Sequence, residues 1–137
     1  MSYEERLGFP CDFKVEYRFY EESEGGPADP PRQGYRSDFA FADDDIRLTG
    51  LYMIWPEFEN DAGEVIAENH GVLRSGTARM WVVSDEARRV VRRKVRQGVR
   101  GFFMEDGRRV AEAVVTRIVG LDTNPPAPAP GESNGLR

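Results

Sequence analysis

Val99–Val119 reads VRGFFMEDGRRVAEAVVTRIV. Two runs rich in aromatic and β-branched residues flank Glu105-Asp106-Gly107. Asp-Gly is a favoured two-residue hairpin turn, because both central positions of a type I′ turn need positive φ. The stretch therefore predicts an antiparallel hairpin, with one strand over Val99–Met104 and a longer one over Arg108–Val119.

Working outward, the same alternation recurs. Phe13, Val15, Tyr17 and Phe19 alternate with polar residues across Asp12–Tyr20, which predicts a half-buried strand. Glu21–Gln33 carries two glycines and three prolines and reads as a loop. Gly34–Ala42 is a second alternating run, with Tyr35, Phe39 and Phe41 on one face, and Asp43-Asp44-Asp45 breaks it. Leu48–Phe58 is a third run. Pro56 within it cannot donate to a sheet ladder, which marks a sheet edge or a strand end. A short strand is also possible over Glu64–Ala67, and Thr77–Val83 is a further strand.

Between Thr77–Val83 and the hairpin lies SDEARRVVRRKVRQG. Ser84 suits a helix N-cap, Asp85 and Glu86 the first turn, and Gly98 the C′ position. Ala87, Val91 and Val95 stand four apart with Val90 beside them, a narrow apolar stripe on a basic helix. The competing strand reading rests on the β-branched valines. About six strands and one short helix point to an all-β antiparallel barrel or sandwich.

Length and composition set the outer bounds. The chain has 137 residues, a single-domain size. The division expected is an N-terminal extension over residues 1–11, a barrel over 12–121 and a disordered proline-rich tail over 122–137. No apolar run is long enough to span a membrane, the start lacks the features of a signal peptide, and Cys11 is the single cysteine. Those features lead us to expect a cytoplasmic protein. Charge is uneven: Met1–His70 holds 6 Lys/Arg against 17 Asp/Glu, or −11, and Gly71–Arg137 holds 13 against 7, or +6. The halves either pair internally or present a basic patch to an anionic partner.

The hairpin is similar, without gaps, to the last hairpin of the third domain of elongation factor Tu. Arg100, Glu105, Gly107, Arg108, Val110, Val114, Val115, Thr116, Arg117 and Ile118 match or substitute conservatively. QGYRSDFAF, Gln33 to Phe41, resembles a second family block at Gly34, Tyr35, Arg36, Phe39 and Phe41. The loop EESEGGPADPP and the segment LRSGTARMWVV, with Gly76 at its turn, resemble two more in the same order. The resemblance spans about Asp12 to Leu121 and implies a small, closed, six-stranded antiparallel barrel. In that family the domain contacts the T-arm of aminoacyl-tRNA, a neighbouring domain and an exchange factor, while hydrolysis belongs to another domain. This chain carries no phosphate-binding loop of the G-x-x-x-x-G-K-[ST] type. It departs from the family at Ala111-Glu112-Ala113, where the family has a glycine-flanked close approach to RNA, and at Ser37-Asp38 and Met104.

No catalytic set is legible. His70 is the single histidine, Cys11 has no histidine near it in sequence, and Asp43-Asp44-Asp45 lacks the spacing of a calcium loop. The expectation is a non-catalytic binding module without a cofactor or metal. It would engage a protein, as a mimic or regulator of translation-factor interactions. RNA is the alternative partner, and an unrecognised enzyme or self-association near Pro56 are further ones. The candidate binding residues are Tyr35, Arg36, Arg88, Arg89, Arg92, Arg93, Arg96, Arg100 and Arg108.

Overall fold

In a computed structural model describing residues 2–45, 47 and 50–125, the hairpin forms as expected. Strand β5 (Arg100–Glu105) and strand β6 (Arg108–Ile118) are joined by Asp106 at φ 51° and Gly107 at φ 75°. These left-handed values give the turn the twist that the flanking strands need. The remaining strands are β1 (Phe13–Phe19), β2 (Asp38–Phe41), β3 (Tyr52–Phe58) and β4 (Ser75–Val82). They close in the order β1-β4-β3-β2-β5-β6, and every pairing is antiparallel. The protein is thus a small all-β, six-stranded closed barrel.

Alternation along β1 is realised in full: Phe13, Val15, Tyr17 and Phe19 are buried, with Lys14, Glu16 and Arg18 between them. These four join Phe39, Phe41, Ile54, Phe58, Met80 and Phe103 inside the barrel. At one end the core is largely aromatic, with Tyr17 edge-on to Phe58 at 5.0 Å and Phe19 against Phe103 at 5.7 Å. Such aromatic pairs add roughly 0.5–1.5 kcal/mol each beyond the area they bury.

Two strands are shorter than their alternation suggests. β2 begins at Asp38 rather than Gly34, because Gly34 adopts φ 103° and the Tyr35 N–H closes a turn onto the Arg32 carbonyl. In the third apolar run the strand begins at Tyr52, and Leu48 lies outside the described residues. The possible strand at Glu64–Ala67 reduces to one isolated bridge between Glu59 and Val65.

The short β2 leaves a seam. It pairs with β3 only at Asp38–Met53 and Phe39–Tyr52. Beyond that point, the even-numbered residues of β3 turn their backbone groups toward the seam. Phe58 shows this, because its N–H and C=O both meet the side chain of Gln33, at 2.9 and 2.8 Å. Pro56 has the same parity, so its missing N–H falls where no ladder exists. The strand is locally an edge at this proline, although the sheet is closed. Gln33 acts as a one-residue substitute for the absent strand, and its amide also reaches the Ile66 carbonyl at 2.9 Å.

Helix α1 (Tyr3–Leu7) lies outside the barrel and is capped by Ser2, with a reciprocal bond from Glu5. Tyr3, Phe9 and Cys11 pack on the outward faces of Trp55 and Trp81. Helix α2 (Asp85–Lys94) closes the end of the barrel where β4 finishes, with Val91 and Val95 in the core. Ser84 is its N-cap, accepting from the Ala87 N–H at 3.0 Å. The helix ends at Val95 rather than running on to Gly98, which instead serves the next turn at φ 92°.

Packing continues past the expected barrel boundary. Leu121 is buried, and Asn124 reaches back to the Pro10 carbonyl at 2.8 Å and to Asp12 at 3.0 Å. Residues 122–125 therefore belong to the folded body, and 126–137 lie outside the described residues.

Candidate functional site

The arginines of the basic segment divide by helical angle. At 100° per residue, Arg88 falls beside Val91 and Val95, on the side facing the barrel. It is only 3% exposed. Its guanidinium meets Asp12 at 3.3 Å and donates to the Val82 and Pro125 carbonyls at 3.1 and 2.8 Å. Asp12, also fully buried, accepts in turn from the Val82 N–H at 2.7 Å. Arg88 is therefore a structural member of a satisfied internal ion pair, which corrects its expected place on a binding face.

Arg89, Arg92, Arg93 and Arg96 are exposed on the outer side of the same segment. Arg89 pairs with Asp85 at 3.4 Å and Arg92 with Asp122 at 3.8 Å. Arg93 and Arg96 make no ion pair among the described residues. Arg100 starts β5 at this end of the barrel and pairs with Glu112 at 3.8 Å. Glu112 thus offsets a cation on the outer wall.

The other expected residues lie elsewhere. Arg108 sits at the far tip of the β5–β6 hairpin, about 17 Å along the strand from Arg100. Tyr35 is half-buried at that far end, against Phe19 and Phe58, with its hydroxyl on Glu105. Burial first, and then Glu105, pushes the Tyr35 hydroxyl pKa above the ordinary tyrosine range. Arg36 stacks 3.7 Å over Trp55 and donates to the Tyr3 hydroxyl, so it clamps α1 to the barrel wall. The nine residues therefore do not form one surface; Arg89, Arg92, Arg93, Arg96 and Arg100 gather at the α2 end.

An apolar groove lies between the start of β3 and α2 and was not read from the sequence. Leu51, Tyr52 and Met53 form one wall, and Ala87, Val90 and Lys94 of α2 the other, around about 460 Å³. Leu51 is 36% and Met53 52% exposed, unusual for large apolar side chains next to each other in space. The signal was present in the LYMIW run, where Met53 takes the outward position of the alternation. Lys94 closes the groove, held by Asp44 at 2.7 Å.

Burial pushes the Cys11 thiol up to about 11. His70 is exposed in a loop. Among the described residues, no three His, Cys, Asp or Glu side chains converge as metal ligands, and no helix is long and apolar enough to cross a membrane. Much of the charge asymmetry is neutralised between the halves, through Arg79–Glu59 at 2.8 Å, Arg88–Asp12 at 3.3 Å and Lys94–Asp44 at 2.7 Å. No protein-family model matches the chain, and no curated protein matches it either.

Proposed function

We propose that this protein is a non-catalytic binding module that docks a protein segment carrying apolar anchors flanked by acidic residues. The carrying observation is the apolar groove of Leu51, Met53, Ala87 and Val90, one wall of which is α2, a helix that also carries the exposed Arg89 and Arg93, with Arg96 just beyond its end. Apolar anchors supply the buried core of an interface, and arginines at its margin supply register and rate of encounter. An apolar floor that includes Leu51 and Met53 matches the side-chain anchors of a protein segment better than the sugar-phosphate chain of RNA. The resemblance of Asp12–Leu121 to the third domain of elongation factor Tu supports a partner that also meets a translation factor, engaged by mimicry.

The test is affinity capture from lysate with nuclease treatment, at low and high salt. Two variants are compared with wild type: Met53→Glu, and Arg89→Gln with Arg93→Gln and Arg96→Gln. Arg88 is left intact, because its loss would confuse unfolding with loss of binding. A defined protein retained through nuclease and lost in both variants is the expected result. Retention that vanishes with nuclease, and is indifferent to Met53→Glu, would instead establish RNA as the partner.

A further inference from the structure

A second, independent site lies at the seam between β2 and β3, away from α2. Glu57 of β3 is 2% exposed, and its carboxylate is half used. Oε2 accepts from the Tyr3 N–H at 2.7 Å, while the buried Oε1 has no hydrogen-bond partner. No cation forms an ion pair with Glu57 among the described residues. A buried acceptor left unmade costs its full desolvation, so a native one calls for a donor.

Glu57 lines a cavity of about 220 Å³ enclosed by α1, Gln33 and the 65–68 loop. None of the nearby donors reaches Glu57 Oε1. Both Gln33 Nε2 bonds go to backbone carbonyls, and Arg6 stacks on the Tyr3 ring at 5.0 Å. Glu5 and Glu68 add carboxylates to the wall, where Arg6 is the one lining cation, and Arg79 acts on Glu57 from outside the lining. Val65, Ile66 and Ala67 supply an apolar flank. The cavity thus has in its wall a buried carboxylate with an unused oxygen, two further carboxylates and a strip of aliphatic surface.

We infer that this cavity binds a primary alkylammonium group, its nitrogen donating to Glu57 Oε1 and its aliphatic stem lying along Val65–Ala67. A free amine and a lysine side chain of another protein share this chemistry. An alkylammonium satisfies the orphaned oxygen, is attracted by Glu68 at the mouth and buries its methylenes, whereas a metal ion finds no converging set of ligands.

The experiment is an NMR titration of the ¹⁵N-labelled protein at neutral pH, following the Tyr3 amide and the Gln33 side-chain amide. The probes are n-butylammonium chloride and N-acetyl-lysine methylamide, with sodium chloride and n-butanol as matched controls. Saturable shifts are expected for at least one amine, with Kd of about 1–10 mM, the free energy open to one small charged group. Glu57→Gln keeps an acceptor for Tyr3 and is expected to weaken binding about tenfold or more. Glu68→Gln, an exposed change that spares the fold, weakens it less, and Arg93→Gln leaves it unchanged. Saturation by butylammonium alone assigns the site to free amines, and saturation by the lysine derivative extends it to protein side chains. Shifts that track sodium chloride, or equal affinity in both glutamate variants and wild type, overturn the inference.

Discussion

Arg88 and Arg89 are neighbours in sequence with opposite fates on mutation. Replacing Arg88 by alanine strands the Asp12 carboxylate in the core, and breaking a buried pair from one side costs about 3–5 kcal/mol. Arg89→Ala removes one exposed pair and is expected to change stability by less than about 0.5 kcal/mol. Chemical denaturation of the two variants separates them. Two buried glutamates on β3 and just after it make a second contrast. Burial raises the Glu57 carboxyl above the ordinary range, with too little from the Tyr3 N–H and distant Arg79 to offset it. Burial also penalises Glu59, but bonds from Thr77, Arg79 and Lys14 outweigh this and hold its carboxyl below the ordinary range. Linkage then gives opposite signs. The contribution of Glu57 is full below the unfolded pKa of about 4.3 and is lost as pH rises through the folded value. That of Glu59 is full above about 4.3 and is lost as pH falls through its depressed folded value. Denaturation from pH 3 to 7 is therefore expected to show Glu57→Gln gaining on wild type as pH rises, and Glu59→Gln losing ground.

Among the elements, the seam and the hairpin carry the clearest tests. Gln33→Leu leaves the Phe58 N–H and the Ile66 carbonyl without this partner, while the Phe58 C=O keeps the Ile66 N–H; the cost is about 1–3 kcal/mol for a buried group left unsatisfied. Faster hydrogen exchange at Phe58 than in β1 accompanies that loss. Gly101 of β5 lies under Phe39; a methyl group there would overlap the Phe39 ring and sit 3.0 Å from the Ala40 carbonyl. Gly101→Ala is expected to cost about 1–3 kcal/mol by overpacking, measurable as a lower Tm. The elements legible in the sequence were those set by neighbours in the chain: the Asp106-Gly107 turn, the alternation of β1 and the Ser84 cap. Those misread depend on distant residues. Arg88 reads as a surface cation until Asp12, 76 positions away, is placed beside it. Similarly, β2 reads as longer because nothing local announces that Gln33 will take over the ladder at Phe58, 25 positions on. The apolar groove was hidden for the same reason, since Met53 and Val90 come together only when α2 folds over the barrel end.

For the molecule as a whole, the proposed docking face and the proposed alkylammonium cavity lie on different parts of one closed barrel. Variants at Met53 are accordingly expected to leave amine titrations unchanged, and Glu57→Gln to leave partner capture unchanged, which a paired measurement on each variant checks. The order of strands around that cylinder bears on how it assembles. β1, the first strand made, takes its neighbours from β4 and β6, pairing Phe13 with Met80 on one side and Ile118 on the other. During synthesis its backbone has no lasting partner until Ser75–Val82 has emerged, and its second flank waits for the last strand. Loop closure over such separations must precede the contacts that reward it, which places such barrels among domains that fold in roughly milliseconds to seconds. Nascent chains stalled before Ile118 would therefore carry the aromatic face of β1 bare, and closure of the barrel would be an event that follows translation of its final strand.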